Sequence, residues 1–301
     1  MNLKIRGKLI AGFAVVVVIL MAAVGSTIWK VTEISGVSDR IVELRTPTSA
    51  ASQRMLNNIN ASLAALRGYM LTGAPAFKKG RAAVWADIDI AKANMDKLSQ
   101  SWTNPKNVKK WQGFKSILAE FRTAQAKVEG IAKTIDEQPA TKILVKQAAP
   151  QASILVAEIT KIINIEATLP ATPERKALLG MMADTRGTTA RGLASIRAFL
   201  LTGNQQFHKN FNVMWKKNGI RFGQLTAKRH LLTPEQQVSF DKFAKAHKIF
   251  KPLPAKMFDI RGSKKWNMAN FTLVTEAAPR AGKLLTILLG PVGKNGKRAG
   301  G

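Results

Sequence analysis

LRGYMLTG, Leu66 to Gly73, and IRAFLLTG, Ile196 to Gly203, are two versions of one helix ending in a single chain of 301 residues. Each reads as the last turns of an amphipathic helix, with Thr before a Gly that can take the left-handed conformation and stop the helix. The likeness extends outward from both. Arg67, Tyr69, Thr72, Phe77 and Trp85 recur as Arg197, Phe199, Thr202, Phe207 and Trp215, at a spacing of 130. Phe114, Phe121 and Pro150 recur as Phe243, Phe250 and Pro279 at a spacing of 129, the slip a single loop deletion would produce. The chain is therefore a duplication, with one copy over about 45–170 and the second over about 172–289.

The punctuation within each copy sets the elements. Thr72-Gly73 with Pro75, Asn104-Pro105, Pro170 with Pro173, Thr202-Gly203 and Thr233-Pro234 are breaks, and alternating β-type runs are absent. Six helices follow: 30–72, 75–101, 106–166, 173–202, 204–230 and 234–289, two long and four short. Pro150 in QAAPQA and Pro279 in EAAPRA sit inside the two long helices and should kink them or mark local irregularity. The expected fold is all-α. A long helix can donate its far half to the neighbouring copy, which would build two four-helix bundles stacked end to end.

Ahead of the duplication, Leu9 to Trp29 contains no charged residue. As a helix at about 1.5 Å per residue this run spans ~30 Å, the thickness of a hydrocarbon core. Lys4, Arg6 and Lys8 precede it without an acidic residue, so residues 1–8 are expected in the cytoplasm, 9–29 in the inner (cell) membrane, and 30–289 in the periplasm or otherwise outside. Ala22, Ala23 and Gly25 would also suit cleavage of a signal peptide, but the run exceeds a usual signal core and an anchor is preferred.

Lys and Arg total 47 against 18 Asp and Glu, a net charge of +29, so the surface attracts anions of every class. Cysteine is absent, which removes disulfides, thiolate metal sites and a thiol nucleophile. His208, His230 and His247 have no metal-ligand spacing. No nucleophile–base pair, phosphate loop or paired carboxylate is visible, so neither an enzyme nor a cofactor or metal site is expected. The lysine pairs at 109–110, 216–217 and 264–265 are scattered, and solvated faces describe them better than nucleic-acid contacts.

In the first helix Leu56, Ile59, Leu63, Leu66 and Met70 form a heptad seam, with Arg67 beside it. The corresponding seam in the second copy is Arg186, Thr189, Leu193, Ile196 and Leu200, whose upper half is polar. An Arg in a core needs an anionic partner. Asp184 or Glu276 could supply it, or a ligand carboxylate gripped in bidentate fashion. Arg186, Thr189, Arg191 and Arg197 are accordingly the leading ligand-binding candidates, with Arg67, Asn58 and Ser62 as weaker ones. Trp85 and Trp215 are expected in the core.

A basic N-terminus, one membrane helix and a duplicated helical region carrying R-x-[YF]-[ML]-L-T-G twice resemble the sensor region of bacterial methyl-accepting chemotaxis receptors, in the helical bimodular form. GPVGKNGKRAGG, Gly290 to Gly301, is similar to the Gly-rich juxtamembrane stretch those receptors place before their second membrane helix, so the chain is expected to be a fragment of one. The resemblance implies a homodimer that binds small organic acids, such as acetate or tricarboxylic-cycle intermediates, between bundle helices. It implies transmission of a helix displacement to the membrane. Characterised members carry an arginine pair where this chain has Leu63 and Leu66. Two other readings remain: a membrane-anchored interaction or adhesion protein for anionic polymer or lipid, and the sensor of a histidine kinase.

Overall fold

The computed structural model describes residues 4–292, and among these the protein is all-α, with no strand. Helix α1 runs from Ile5 to Thr72 without a break, and its apolar N-terminal part is long enough to cross a membrane and is buried by none of the described residues. It is followed by α2 (Pro75–Ser99), α3 (Pro105–Ile131) and α4 (139–166). The second copy gives α5 (Pro173–Thr202), α6 (Gln205–Ala227), α7 (Pro234–Phe250), α8 (Leu253–Gly262) and α9 (268–289). Of the Gly-rich tail, residues 293–301 lie outside the described residues, as do residues 1–3 of the N-terminal segment.

The two repeated endings are the same device atom for atom. Gly73 and Gly203 take φ of 73° and 71°, and their N–H groups donate to the carbonyls of Tyr69 and Phe199. Thr72 Oγ1 donates back to the Gly68 carbonyl at 2.8 Å and accepts from Ala74 N at 3.1 Å. Thr202 repeats both bonds, to Ala198 at 2.7 Å and from Asn204 at 3.1 Å. A β-carbon would be strained at either glycine because of the positive φ.

The two long helices are broken where the sequence reading made them continuous. The expected helix over 106–166 stops at Ile131. Lys133 turns left-handed with φ 62°, its N–H is held by Glu137 Oε2, and Pro139 starts the next helix. The expected helix over 234–289 is cut after Phe250, ahead of Pro252, and again at 263–267. There the Asn267 side chain caps the next start by accepting from Asn270 N at 2.8 Å.

Pro150 and Pro279 do mark irregularities, and both are π-turns. In each, the residue before the proline donates five residues back, Ala149 to Leu144 and Ala278 to Leu273. A third π-turn over Ile41–Arg45 precedes Pro47, where Thr46 donates to Ile41. All three carry one motif, [IL]-V-x-x-x-x-P: IVELRTP, LVKQAAP and LVTEAAP. A proline inside an α-helix lacks an N–H and collides with the carbonyl four residues back. The wider turn moves that carbonyl aside at the cost of one residue of register.

The chain divides into two compact units, one of 1–121 with 280–301 and one of 122–279, so each unit takes segments from both sequence copies. In the first unit the core is Met55, Ile59, Leu66, Trp85, Ile88, Met95, Phe114, Leu118 and Phe121, with Leu284 from α9. In the second it includes Leu155, Ile159, Met182, Ile196, Phe199, Phe243, Phe250 and Met257. The seams differ from the expected heptads. In α1 the buried set is Met55, Ile59, Leu63, Leu66 and Tyr69, with Leu56 and Met70 half-buried. In α5 it is Leu178, Met182, Thr185, Thr189, Leu193 and Ile196, and Arg186 is exposed. The expectation of a cation at a core position is thus overturned.

Candidate functional site

In the first unit a cavity of about 510 Å³ opens where the 40–52 part of α1 meets the end of α2, the start of α3 and the end of α9. Arg40, Arg45 and Lys110 bring three cations to its lining, and no carboxylate lines it. Among the described residues none of the three is in an ion pair. Thr48, Ser49, Ser52, Thr103, Asn104 and Asn107 add hydroxyl and amide groups. The Oγ1 of Thr48 is sealed from solvent and has no hydrogen-bond partner, a state that buried polar atoms seldom keep. Arg40 Nη2 reaches Thr103 Oγ1 at 3.4 Å. A neighbouring groove shares Arg40 and does contain Asp39 and Glu43, so the uncompensated charge lies on the Arg45 and Lys110 side.

The apolar wall is Met95, Trp102, Trp111 and Phe114, with Ile287 and Leu288 of α9. Trp111 is held in place from behind. Its indole N–H donates to Asp96 Oδ1 at 2.8 Å, the same oxygen accepts from Lys115 at 2.9 Å, and Oδ2 accepts from Lys92 at 3.1 Å. Burial pushes the Asp96 carboxyl up, but the bonds from Lys115, Trp111 and Lys92 outweigh it and hold the pKa at about 2. The α2–α3 corner behind the cavity is thereby fixed as an anion bound by two cations.

The second unit carries its polar groups inside the core. Asn218 of α6 is fully buried, and its Nδ2 faces the Thr185 carbonyl (3.1 Å), Thr188 Oγ1 (2.9 Å) and Thr189 Oγ1 (3.0 Å) of α5. A carbonyl only accepts, which fixes the amide orientation and leaves Oδ1 toward His247 Nε2 of α7 at 3.2 Å. The neutral imidazole therefore carries its hydrogen on Nε2. Trp215 stacks on one side of this ring at 5.2 Å and Phe222 lies 4.5 Å from it. Burial, with Lys251 one turn on, pushes the His247 pKa down. Outside the core Asp184 is bridged by Lys217 at 3.0 Å and Arg221 at 2.8 Å, and those bonds, Lys217 first, lower its pKa.

Residues 2–173 match the family described as a four helix bundle sensory module for signal transduction, that of the methyl-accepting chemotaxis proteins. The chain belongs to this family. No curated protein matches it. The match takes in the apolar helix and the whole first copy, and the all-α bundle and the sensory character agree with what the sequence resembled. It is a signal-transduction module, whose role is sensing rather than catalysis.

Along the chain the residues singled out in the sequence are scattered, and Arg186, Thr189, Arg191 and Arg197 lie beyond the matched residues. Arg186, Arg191 and Arg197 are exposed on α5, and Arg67 is exposed on α1. Thr189 is buried in the Asn218 network. Asp184 and Glu276, the expected partners of Arg186, are bonded instead to Lys217 and Arg221, and to Lys127. Ser62 is buried and donates to the Ile59 carbonyl at 2.8 Å. Asn58 is half-buried, with its Nδ2 enclosed and unpartnered. None of these seven lines the cationic cavity. Sequence reasoning passed over Arg40, Arg45, Thr48, Trp102 and Lys110 because they come from separate segments. The one available signal was the polar TPTSAAS stretch at 46–52, directly after Arg45 and six residues after Arg40. Trp85 is buried, and Trp215 is half-buried against Phe211 and His247.

Proposed function

We propose that this sensory module is the extracytoplasmic part of a membrane-anchored chemotaxis receptor of the bimodular form, and that it detects small organic anions in the cationic cavity of the first unit. The observation that carries this reading is the lining of that cavity: Arg40 and Arg45 on the helix continuous with the apolar segment, with Lys110 of α3, and no carboxylate in the lining among the described residues. Arginine offers a planar fork to a carboxylate, and a lysine beside it adds a compact point charge. An anion drawn between α1 and α3 would shift α1 along or about its axis. That displacement would reach the membrane along the same rod.

Lys4, Arg6 and Lys8 ahead of the apolar run support a cytoplasmic N-terminus. Ile34, Val37 and Ile41 form an exposed stripe at spacings of three and four on α1, which supports a homodimer packed along the helix. Because the chain has no cysteine, Ile34→Cys gives a clean probe: a disulfide between copies is expected, and its failure to form under oxidation would count against the dimer.

The test of the main reading is calorimetry of the full chain in nanodiscs with a panel of organic acids. Binding of at least one acid, weakened about tenfold or more by Arg45→Gln with Lys110→Gln, is expected. No binding by any acid would overturn it. A second reading, capture of anionic polymer, is favoured only by the +29 charge. Polymer binding should fall steeply between low and moderate salt, whereas contacts in a partly desolvated cavity should change less.

A further inference from the structure

We infer that the anion recognised in the first unit carries an apolar ring, so that the cavity selects ring-bearing carboxylates over acetate and the short diacids. The inference rests on the functional reading above and specifies its ligand.

The lining of the cavity joins two chemistries. Arg45, Thr48, Ser49 and Lys110 bring hydroxyl and cation groups, and Met95, Trp102, Trp111, Ile287 and Leu288 bring apolar ones. A volume of about 510 Å³ falls within the ~300–1,000 Å³ of sites that take ligands much larger than a two- or four-carbon acid. A short diacid would satisfy the cations and leave the aromatic wall wet. A carboxylate on a ring covers both, with the ring against half-buried Trp102, Ile287 and Leu288. Trp111 is buried, with its N–H held by Asp96 and Phe114 stacked on it at 5.2 Å, so it backs this lining and half-buried Trp102 presents the open ring.

A lipid headgroup has the same charge but cannot easily reach. Arg40 and Arg45 follow Trp29 by 11 and 16 residues of continuous helix, which is ~16 and ~24 Å of rise. The polar layer of a bilayer extends only about 5–8 Å past the hydrocarbon core. A free acid from solution is the occupant that fits.

The experiment is calorimetry of the full chain in zwitterionic nanodiscs, with benzoate and phenylacetate against acetate, malate and neutral benzyl alcohol. Benzoate or phenylacetate should bind at least about tenfold more tightly than acetate or malate. Benzyl alcohol should give no measurable heat. Trp102→Ala should weaken the ring acids about fivefold and leave malate unchanged, and Trp102→Phe should restore most of the loss. Malate or acetate binding as well as the ring acids, with Arg45→Gln and Lys110→Gln abolishing it, would overturn this inference and keep the anion sensor. Silence from every acid would overturn both. Loss of benzoate binding in phosphatidylglycerol nanodiscs would show a headgroup in the cavity and overturn the free-acid assignment.

Discussion

The first and second units share a frame and differ in what they enclose. At equivalent places in the duplication the first has Met55, Ile59, Ile88 and Leu118, all buried, and the second has Thr185, Thr189, Asn218 and His247. The frame around them is kept: left-handed glycines at 73 and 203, back-bonding Thr72 and Thr202, and Trp85 with Trp215. Even an ion pair is kept with its sign inverted. Arg54 reaches Asp87 from α1 to α2 at 3.2 Å, and Asp184 takes Lys217 from α5 to α6 at 3.0 Å. Duplication thus preserved the joints and let the interior diverge. The first unit keeps an apolar interior and places its cations in an open cavity, while the second spends its polarity on binding its own helices together.

The largest expected effect comes from removing the hub of the polar interior alone. Asn218→Ile leaves His247 Nε2 without its acceptor and takes the amide donor from Thr188 and Thr189, whose hydroxyls keep their backbone carbonyls. It should cost about 3 kcal/mol of stability, read by thermal or denaturant unfolding of the full chain. Installing the first unit's residues together, Thr185→Met, Thr189→Ile, Asn218→Ile and His247→Leu, should recover most of that loss, because no polar group is then left unpaired. A quadruple variant as unstable as the single one would break the equivalence of the two interiors.

Acid should distinguish the units next. The folded pKa of His247 is depressed below its ordinary 6.5, so the unfolded chain takes the proton first. Stability is complete above 6.5 and falls as pH drops below it, by up to about 1.4 kcal/mol per pH unit. Lys251, one turn on, is the charged group that acts on this ring. His247→Leu combined with Asn218→Ile should flatten the profile between pH 7 and 5. The first unit should instead respond near pH 4 to 2. Asp96 is depressed to about 2, and its contribution is present above its ordinary 3.8 and lost as pH falls through 2. Asp96→Asn should remove that acid limb and cost about 1 kcal/mol at neutral pH.

The smallest effect is the sharpest test of the frame. Exchanging Arg54 and Asp87, as Arg54→Asp with Asp87→Arg, should change stability by less than about 0.5 kcal/mol, since the second unit already carries the inverted pair at an exposed site. A large loss would mean that the surroundings of the two bridges are not equivalent.

Much of this was legible from residues with unambiguous local chemistry. Thr-Gly endings, Pro at helix starts and the Thr233 cap gave the end of α1, the start of α2, both ends of α5 and the start of α7, and the 130-residue period gave the duplication. The missed break after Ile131 falls in AKTIDEQ, a helix-compatible string in which only the fold sets Lys133 left-handed. Arg186 was misplaced because the seam of the first copy was laid through Leu56, which is half-buried, rather than Met55, which is fully buried. Carried 130 residues on, that choice puts Arg186 in the place that Thr185 holds. The third proline motif, IVELRTP, straddles the start of the first copy, and it has no counterpart at a spacing of 130. The cavity could not be found by periodicity, because its cations come from residues 40, 45 and 110 and its apolar wall from 95, 102, 111 and 287.

Hydrogen exchange on the full chain in nanodiscs, with and without saturating benzoate, asks directly which unit holds the ligand. The account predicts added protection over 40–52 and 102–114, with 182–189 and 215–222 unchanged. Protection centred on Thr185, Thr189 and Asn218, with none around Arg45 and Lys110, would contradict it.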